Sequence, residues 1–225
     1  MTTVFIISAP SGSGKSTLVN VVRRTVPDLE FSISYTTRTP RGAEEDGCEY
    51  FFVSRQQFED MIRNQEFLEH ADVFGNYYGT AKRFLNKAES GNKDLLLDID
   101  VQGAGQIKAK LPDAVSIFIM PPNRAELERR LRERSQDSEP VIQKRLKAAG
   151  REIENYRKYD YILVNDRLED SVTTLEAILL SERLKRNGRP DEKLSARAGK
   201  CRLDQIRERI QPILKSFGDT AASGQ

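Results

Sequence analysis

Histidine and cysteine are scarce in this chain, and tryptophan is absent. One histidine, His70, and two cysteines, Cys48 and Cys201, stand among 225 residues. Two cysteines make neither a disulfide framework nor a Cys-rich zinc site. One histidine excludes a multi-histidine metal site and leaves a single imidazole as a possible base. No apolar run nears the ~18 residues that a bilayer span needs. Charge of one sign is lacking too: 36 Lys and Arg face 34 Asp and Glu, so no whole-chain basic field points to nucleic acid. The start, Met1 to Ser8, has no basic leader and no small-residue cleavage site, so we expect a cytoplasmic protein with no membrane anchor. Chemistry here must run on Lys, Arg, Asp, Glu, hydroxyls and backbone amides.

What is present is a soluble, rather polar composition, 38% hydrophobic and 31% charged, long enough to bury a substantial core. The charge is uneven: residues 1–181 carry −3 and residues 182–217 carry +6. That shift places a boundary near Leu180 to Gly188.

Apolar runs at Val4–Ser8, Leu95–Asp100, Ala114–Met120 and Tyr161–Val164 read as buried strands, and Phe31–Tyr35 alternates like a strand with one wet face. Phe67–Phe74 and Tyr77-Tyr78 read as strands around a Gly75-Asn76 turn. Between them lie helical patterns: Leu18 to Val26, a helix capped by Ser54, one through Phe84 and Ala88, one through Ala104 and Leu111, one capped by Asn123, one starting at Ser138, and one from Val172 to Gly188. Residues 36–49 read as loop. Apolar strands alternating with helices imply an α/β fold, a parallel sheet with helices on both faces.

The sharpest signal is Ala9-Pro10-Ser11-Gly12-Ser13-Gly14-Lys15-Ser16-Thr17, between a strand and a helix. Glycines at 12 and 14 let the backbone curl with its N–H groups inward, and the helix start adds partial positive charge. This is a phosphate-binding loop for ATP or GTP. Lys15 would bridge the β- and γ-phosphates and Ser16 would offer its hydroxyl to Mg²⁺. Ala9 stands where the usual motif has its first glycine. The bland reading, a Gly/Ser turn before a helix, does not explain the lysine.

A second group follows. Ser34-Tyr35-Thr36-Thr37-Arg38-Thr39-Pro40-Arg41 puts two arginines three apart, and two guanidiniums can hold one phosphate monoester. Tyr50, Glu69 and Tyr78 come after. A carboxylate beside a strand can accept two N–H bonds from one edge of guanine and cannot do so from adenine. Each piece alone reads as solvated loop or strand packing.

Together, from about Val4 to Leu184, these segments resemble guanylate kinase: S-G-S-G-K-S-T, S-x-T-T-R-T-P-R, Glu49-Tyr50-Phe51-Phe52, Phe67-Leu68-Glu69, Gly75 to Thr80, Leu97 to Gly103 and Val164-Asn165-Asp166, in the family's order. The resemblance implies that Ser34, Glu69 and Thr80 read guanine with help from Asp98 or Asp100. It implies that Arg38, Arg41, Tyr50 and Tyr78 hold the GMP phosphate, and that residues 9–17 with Asn165 hold ATP. Arg134 and Arg145 match the lid's phosphate-contacting arginines. Ser135 stands where the family has Gly, which leaves Arg130 as an alternative to Arg134. Asp98 and Asp100, two apart, would share one strand face; their bland reading is a pair of N-caps. His70 is given no catalytic role.

The expected activity is Mg²⁺-dependent transfer of the ATP γ-phosphoryl group to GMP. The alternatives are a non-catalytic phosphopeptide-binding module of the same family and a kinase acting on a phosphorylated sugar. We expect a kinase-like domain over 1–186, with core 1–35 and 94–186, GMP-binding region 36–93 and lid near 132–151. Beyond it we expect a linker at 187–201, an amphipathic helix at 202–217 and a frayed end at 218–225. The stripe Leu203, Ile206, Ile210, Ile213, Leu214 and Phe217 either docks on its own chain, the reading slightly favoured, or forms a homo-oligomer contact. Pro212 should kink or split that helix.

Overall fold

In the computed structural model, residues 2–73, 75–134 and 138–218 are described, Arg134 by its backbone alone. In chain order these residues form β1 (Val4–Ser8), α1 (Lys15–Thr25), β2 (Leu29–Ser32), β3 (Tyr35–Thr36), β4 (Phe51–Phe52), α2 (Arg55–Arg63), β5 (Phe67–Val73), β6 (Asn76–Ala81), α3 (Lys82–Ser90), β7 (Asp94–Asp98) and α4 (Val101–Lys110). Next come β8 (Val115–Met120), α5 (Arg124–Arg134), α6 (Glu139–Ile153), β9 (Tyr161–Val164), α7 (Leu168–Arg186), α8 (Glu192–Gly199) and α9 (Leu203–Gly218). The chain divides into two compact units, Met1–Ile7 with Pro27–Val115, and Ser8–Val26 with Ser116–Gln225.

In the first unit β7 lies between β1 and β2, parallel to both, with Phe5 opposite Leu96 and Phe31 opposite Leu96 on the other side. Phe5, Ile6, Leu95, Leu96 and Leu97 are fully buried, as the unbroken apolar runs require. A smaller mixed sheet has the order β4-β3-β6-β5, with β3 antiparallel to β6 and β6 antiparallel to β5. Helix α2 opens on a reciprocal cap: Gln57 N–H donates to Ser54 Oγ and Ser54 N–H donates to Gln57 Oε1. Its Phe58 stacks on Phe67 and Tyr77, at centroid distances of 4.5 and 5.3 Å.

In the second unit β8 and β9 pair in parallel, and Ile117, Phe118, Ile119 and Ile162 are fully buried. Leu127 and Leu131 of α5 and Ile142, Leu146 and Ala149 of α6 form one apolar cluster. The α/β class with a mostly parallel sheet is therefore as the apolar runs imply. No helix among the described residues is long and apolar enough to cross a membrane.

Local differences have physical causes. The expected strand Phe31–Tyr35 is two strands, because the chain leaves the ladder with β7 after Ser32 and joins β6 from Tyr35. Strand β7 stops at Asp98, and Asp100 is the N-cap of α4, its Oδ1 accepting from Gly103 N–H at 2.8 Å. Asp98 and Asp100 therefore do not share a strand face, contrary to the expectation from their spacing. Within 187–201, read as linker, Asp191 caps the helix α8 by accepting from Leu194 N–H. Pro212 does not split α9: it lies on the exposed side, where water can take the carbonyl that loses its donor. The expected strand residue Phe74, residues 135–137 of the expected lid and residues 219–225 of the expected frayed end lie outside the described residues, while Gly218 ends α9.

Helix α9 docks on its own chain. Ile206, Ile210 and Ile213 are buried, and Phe217 packs on the α5–α6 cluster. Ser216 Oγ accepts from the Arg124 N–H at the start of α5, and Cys201 C=O accepts from Ile162 N–H at 2.7 Å on β9. Replacing Ile210, which is fully buried, with Ala should cost about 2–4 kcal/mol and lower the melting temperature by roughly 5–10 °C. An unchanged melting temperature on calorimetry would mean that α9 is not part of the core.

Candidate active site

The phosphate loop lies in the second unit. Pro10 C=O accepts from Ser13 N–H, and Gly14 C=O accepts from Leu18 N–H, which closes the loop onto the first turn of α1. Gly14 is the N-cap, no side chain caps this helix, and its first turn holds no acid. Gly12 has φ 92° and Gly14 has φ 86°, both in the left-handed region. Close approach is a second requirement. A β-carbon on Gly12 would stand 2.8 Å from Leu131 Cδ2, and one on Gly14 would stand 2.3 Å from Asn165 Nδ2. The second requirement cannot be read from the loop itself, because its partners lie more than a hundred residues away.

Asn165, which follows β9, donates from Nδ2 to Ser13 C=O at 2.8 Å and is buried. Its own carbonyl accepts from both Nη atoms of Arg130 at 3.1 Å, while Arg130 Nε donates to Glu126. Glu126 also pairs with Arg129, and these hydrogen bonds hold its carboxyl down at about 2. At the start of α5 the expected cap is made, Glu126 N–H donating to Asn123 Oδ1, and the Glu126 carboxylate serves the arginines. From α6, Arg145 Nη2 donates to Ser11 Oγ at 2.7 Å, so this arginine reaches the loop. Lys15 begins α1 and is half-buried; Ser16 and Thr17 are exposed beside it, and Ala9 is half-buried. The side chain of Arg134 lies outside the described residues.

The first unit gathers a different set. Glu69 on β5 and Thr80 on β6 face each other across the antiparallel pair, and Thr80 Oγ1 donates to Glu69 Oε1 at 2.7 Å. Both are buried. A β-carbon on Gly103 of α4 would stand 2.5 Å from Glu69 Oε2, so the glycine makes room for the carboxylate next to Asp100. Burial pushes the Glu69 carboxyl up to about 7; the Thr80 hydrogen bond opposes this and the Asp100 charge adds to it. Tyr35 faces Gly79 in register, and Ser34 immediately precedes β3. Asp98, half-buried, ends β7. His70 is exposed; its backbone is held by Gln106 of α4.

Arg38 is buried. It donates from Nε to Tyr78 Oη at 3.2 Å, from Nη1 to Thr39 C=O at 2.7 Å and from Nη2 to Glu44 at 3.0 Å. Its guanidinium carbon sits 5.3 Å from the centre of the Tyr50 ring. Burial works against its charge, and the bonds to Glu44 and Tyr78 outweigh this and raise its pKa. Arg38, Tyr50 and Tyr78 therefore meet as the sequence implies. Arg41 is exposed, with its backbone held by Glu44. Neither Glu44 nor the role of Gly103 is apparent in the sequence. The only hint of Glu44 is an acid placed three and six residues after the two arginines.

The raised carboxyl has a consequence for stability. An unfolded glutamate titrates near 4.3, so between that value and about 7 the folded protein holds a proton the unfolded chain releases. The contribution is fully present below about pH 4 and is lost as pH rises through 7, on the order of 3–4 kcal/mol. Urea unfolding at pH 5 and pH 8 should show this loss in the native chain and not in Glu69→Gln. Equal pH dependence in both would mean that Glu69 titrates normally.

Comparison with known proteins gives the family. A family model described as guanylate kinase matches residues 1–182. A protein named guanylate kinase from Koribacter versatilis (strain Ellin345) is 56% identical over 224 residues, 96% of each chain. One of the same name from Escherichia coli (strain K12) is 50% identical over 185 residues, covering 81% of this chain and 89% of that protein. The crystal structure of guanylate kinase from Anaplasma phagocytophilum superposes with a TM-score of 0.67 at 35% identity, covering 81% of this chain and 87% of that one. On sequence and fold, this chain belongs to the guanylate kinase family.

Proposed function

We propose that this chain transfers the γ-phosphoryl group of ATP to GMP, giving ADP and GDP. The observation that carries the choice of acceptor is the buried pair of Glu69 and Thr80 beside Asp100. A buried carboxylate with a hydroxyl neighbour suits the N1–H and N2–H edge of guanine. A phosphorylated sugar would leave it without a partner. Ser34, just before β3, would contact the same edge. Arg38, Arg41, Tyr50 and Tyr78 would hold the GMP phosphate.

The donor side rests on residues 9–17. Loop amides would cradle the β- and γ-phosphates of ATP, Lys15 would neutralise their charge, and Asn165 would hold the loop in shape through Ser13. Arg145, already at Ser11, is placed to meet the transferring group, with Arg130 or Arg134 as its companion from α5. The acceptor is an anionic phosphate oxygen, so no general base is needed, and the exposed His70 has no part.

Guanylate kinases use ATP with a divalent metal. No group of three His, Cys, Asp or Glu among the described residues forms a metal cage. The exposed Ser16 hydroxyl in the first turn of α1 instead fits Mg²⁺, which takes few protein oxygens and the rest from phosphates and water. Bound there with the nucleotide, Mg²⁺ would supply charge neutralisation on the β- and γ-oxygens. We assign the core to 1–35 and 94–186, the GMP-binding region to 36–93 and the lid to about 132–151.

Lys15→Ala should lower turnover at saturating ATP and GMP by at least about a hundredfold, with little change in melting temperature, since only a half-buried side chain is lost. A coupled assay for ADP reads the first effect and calorimetry the second. Turnover near the native value would remove the phosphate-loop assignment.

A further inference from the structure

Arg38 is a buried cation, 8% exposed. A buried guanidinium without an anion is strongly destabilising, so a group on this chain must answer it whenever no ligand does. That group is Glu44. Its carboxylate accepts from Arg38 Nη2 through both oxygens, at 3.0 and 2.9 Å, and from the Arg41 backbone N–H at 2.8 Å. The Glu44 N–H in turn donates to Arg41 C=O at 3.1 Å, and Gly42 between them has φ 56°. The turn 41–44 is closed from both sides. One carboxylate thus fixes the side chain of the first arginine and the backbone of the second.

A guanidinium carries five N–H donors in one plane. On Arg38, Nε is directed at Tyr78, Nη1 at the Thr39 carbonyl and Nη2 at Glu44, so the plane is set by three protein partners. Of these, Glu44 alone also reaches Arg41. An arginine on a free loop would lose side-chain and loop entropy on meeting a phosphate, and one fixed beforehand would not.

We propose that Glu44 is a positioning residue for the acceptor phosphate: it holds Arg38 and Arg41 in one arrangement that a phosphate monoester meets ready-made. This deepens the function proposed above and rests on its assignment of the two arginines to the GMP phosphate. A carboxylate near a dianion also repels it. Here the carboxylate is bonded to the Arg38 guanidinium and to the Arg41 backbone, and two arginine charges stand against its one, so the ordering effect is the larger.

Steady-state kinetics of Glu44→Ala, Glu44→Gln and Arg38→Ala test this. Glu44→Ala should raise the KM for GMP by about tenfold or more, leave the KM for ATP unchanged and hold kcat within about threefold. Glu44→Gln keeps one acceptor oxygen and should recover part of the loss; it carries the same comparison if the alanine variant does not fold. An unchanged KM for GMP would overturn the proposal. A lower KM would overturn it too, by making Glu44 a competitor of the phosphate. Equal losses for GMP and ATP with a lowered melting temperature would reduce Glu44 to a structural role. If Arg38→Ala raises the KM for GMP and the Glu44 variants do not, only this inference fails. If Arg38→Ala leaves it unchanged, the phosphate assignment fails and the inference with it.

Discussion

At Gly14 the backbone turns through the left-handed region while a neighbour stands where a side chain would begin, 2.3 Å from a β-carbon that is not there. That neighbour is Asn165 Nδ2, which is bonded to the carbonyl one residue earlier in the loop. Gly12 repeats the arrangement against Leu131 of α5. The phosphate loop is therefore clamped from the end of β9 and from α5, and it can curl only because two positions lack side chains. Without that clamp the inward amides would lose the fixed geometry that makes a nest for phosphate.

Around this loop the positive charge is ordered rather than merely plentiful. Glu126 holds Arg129 and Arg130, Asn165 C=O takes the other end of Arg130, and Arg145 lies against Ser11. In the first unit the same logic applies with signs arranged differently. Arg38 is balanced by Glu44, and Glu69 is buried against Thr80, so burial keeps its proton on to about pH 7. A strong cation matched in advance suits a phosphate, and a reluctant carboxylate suits a base that brings its own N–H donors.

Much of this was legible from residue order. The runs Val4–Ser8 and Tyr161–Val164 are unbroken and apolar, and both are strands with those bounds. The Gly-x-Gly-Lys-Ser turn needs only local chemistry, so it stands where the sequence places it. What was not legible depends on distant partners. The strand Leu95–Asp100 looks continuous, and only the packing of α4 decides that Asp100 caps a helix. Pro212 looks like a break until α9 is seen to turn that residue outward. Glu44 looks like one more acid in a charged loop, because its value lies in two arginines whose positions the loop itself sets. The C-terminal stripe has helical spacing, and its docking surface comes from α5, α6 and β9.

The account stands on a buried carboxylate choosing guanine. The direct measurement is phosphoryl transfer from ATP to a panel of acceptors, GMP, AMP and ribose bisphosphate, compared by kcat/KM. A site built to accept from an N–H edge rejects an analogue lacking it by about 10⁴-fold or more, so GMP should exceed both others by at least about a thousandfold. Comparable efficiency with AMP or with ribose bisphosphate would contradict the account, because neither presents the pair of N–H donors for which Glu69 and Thr80 are held together.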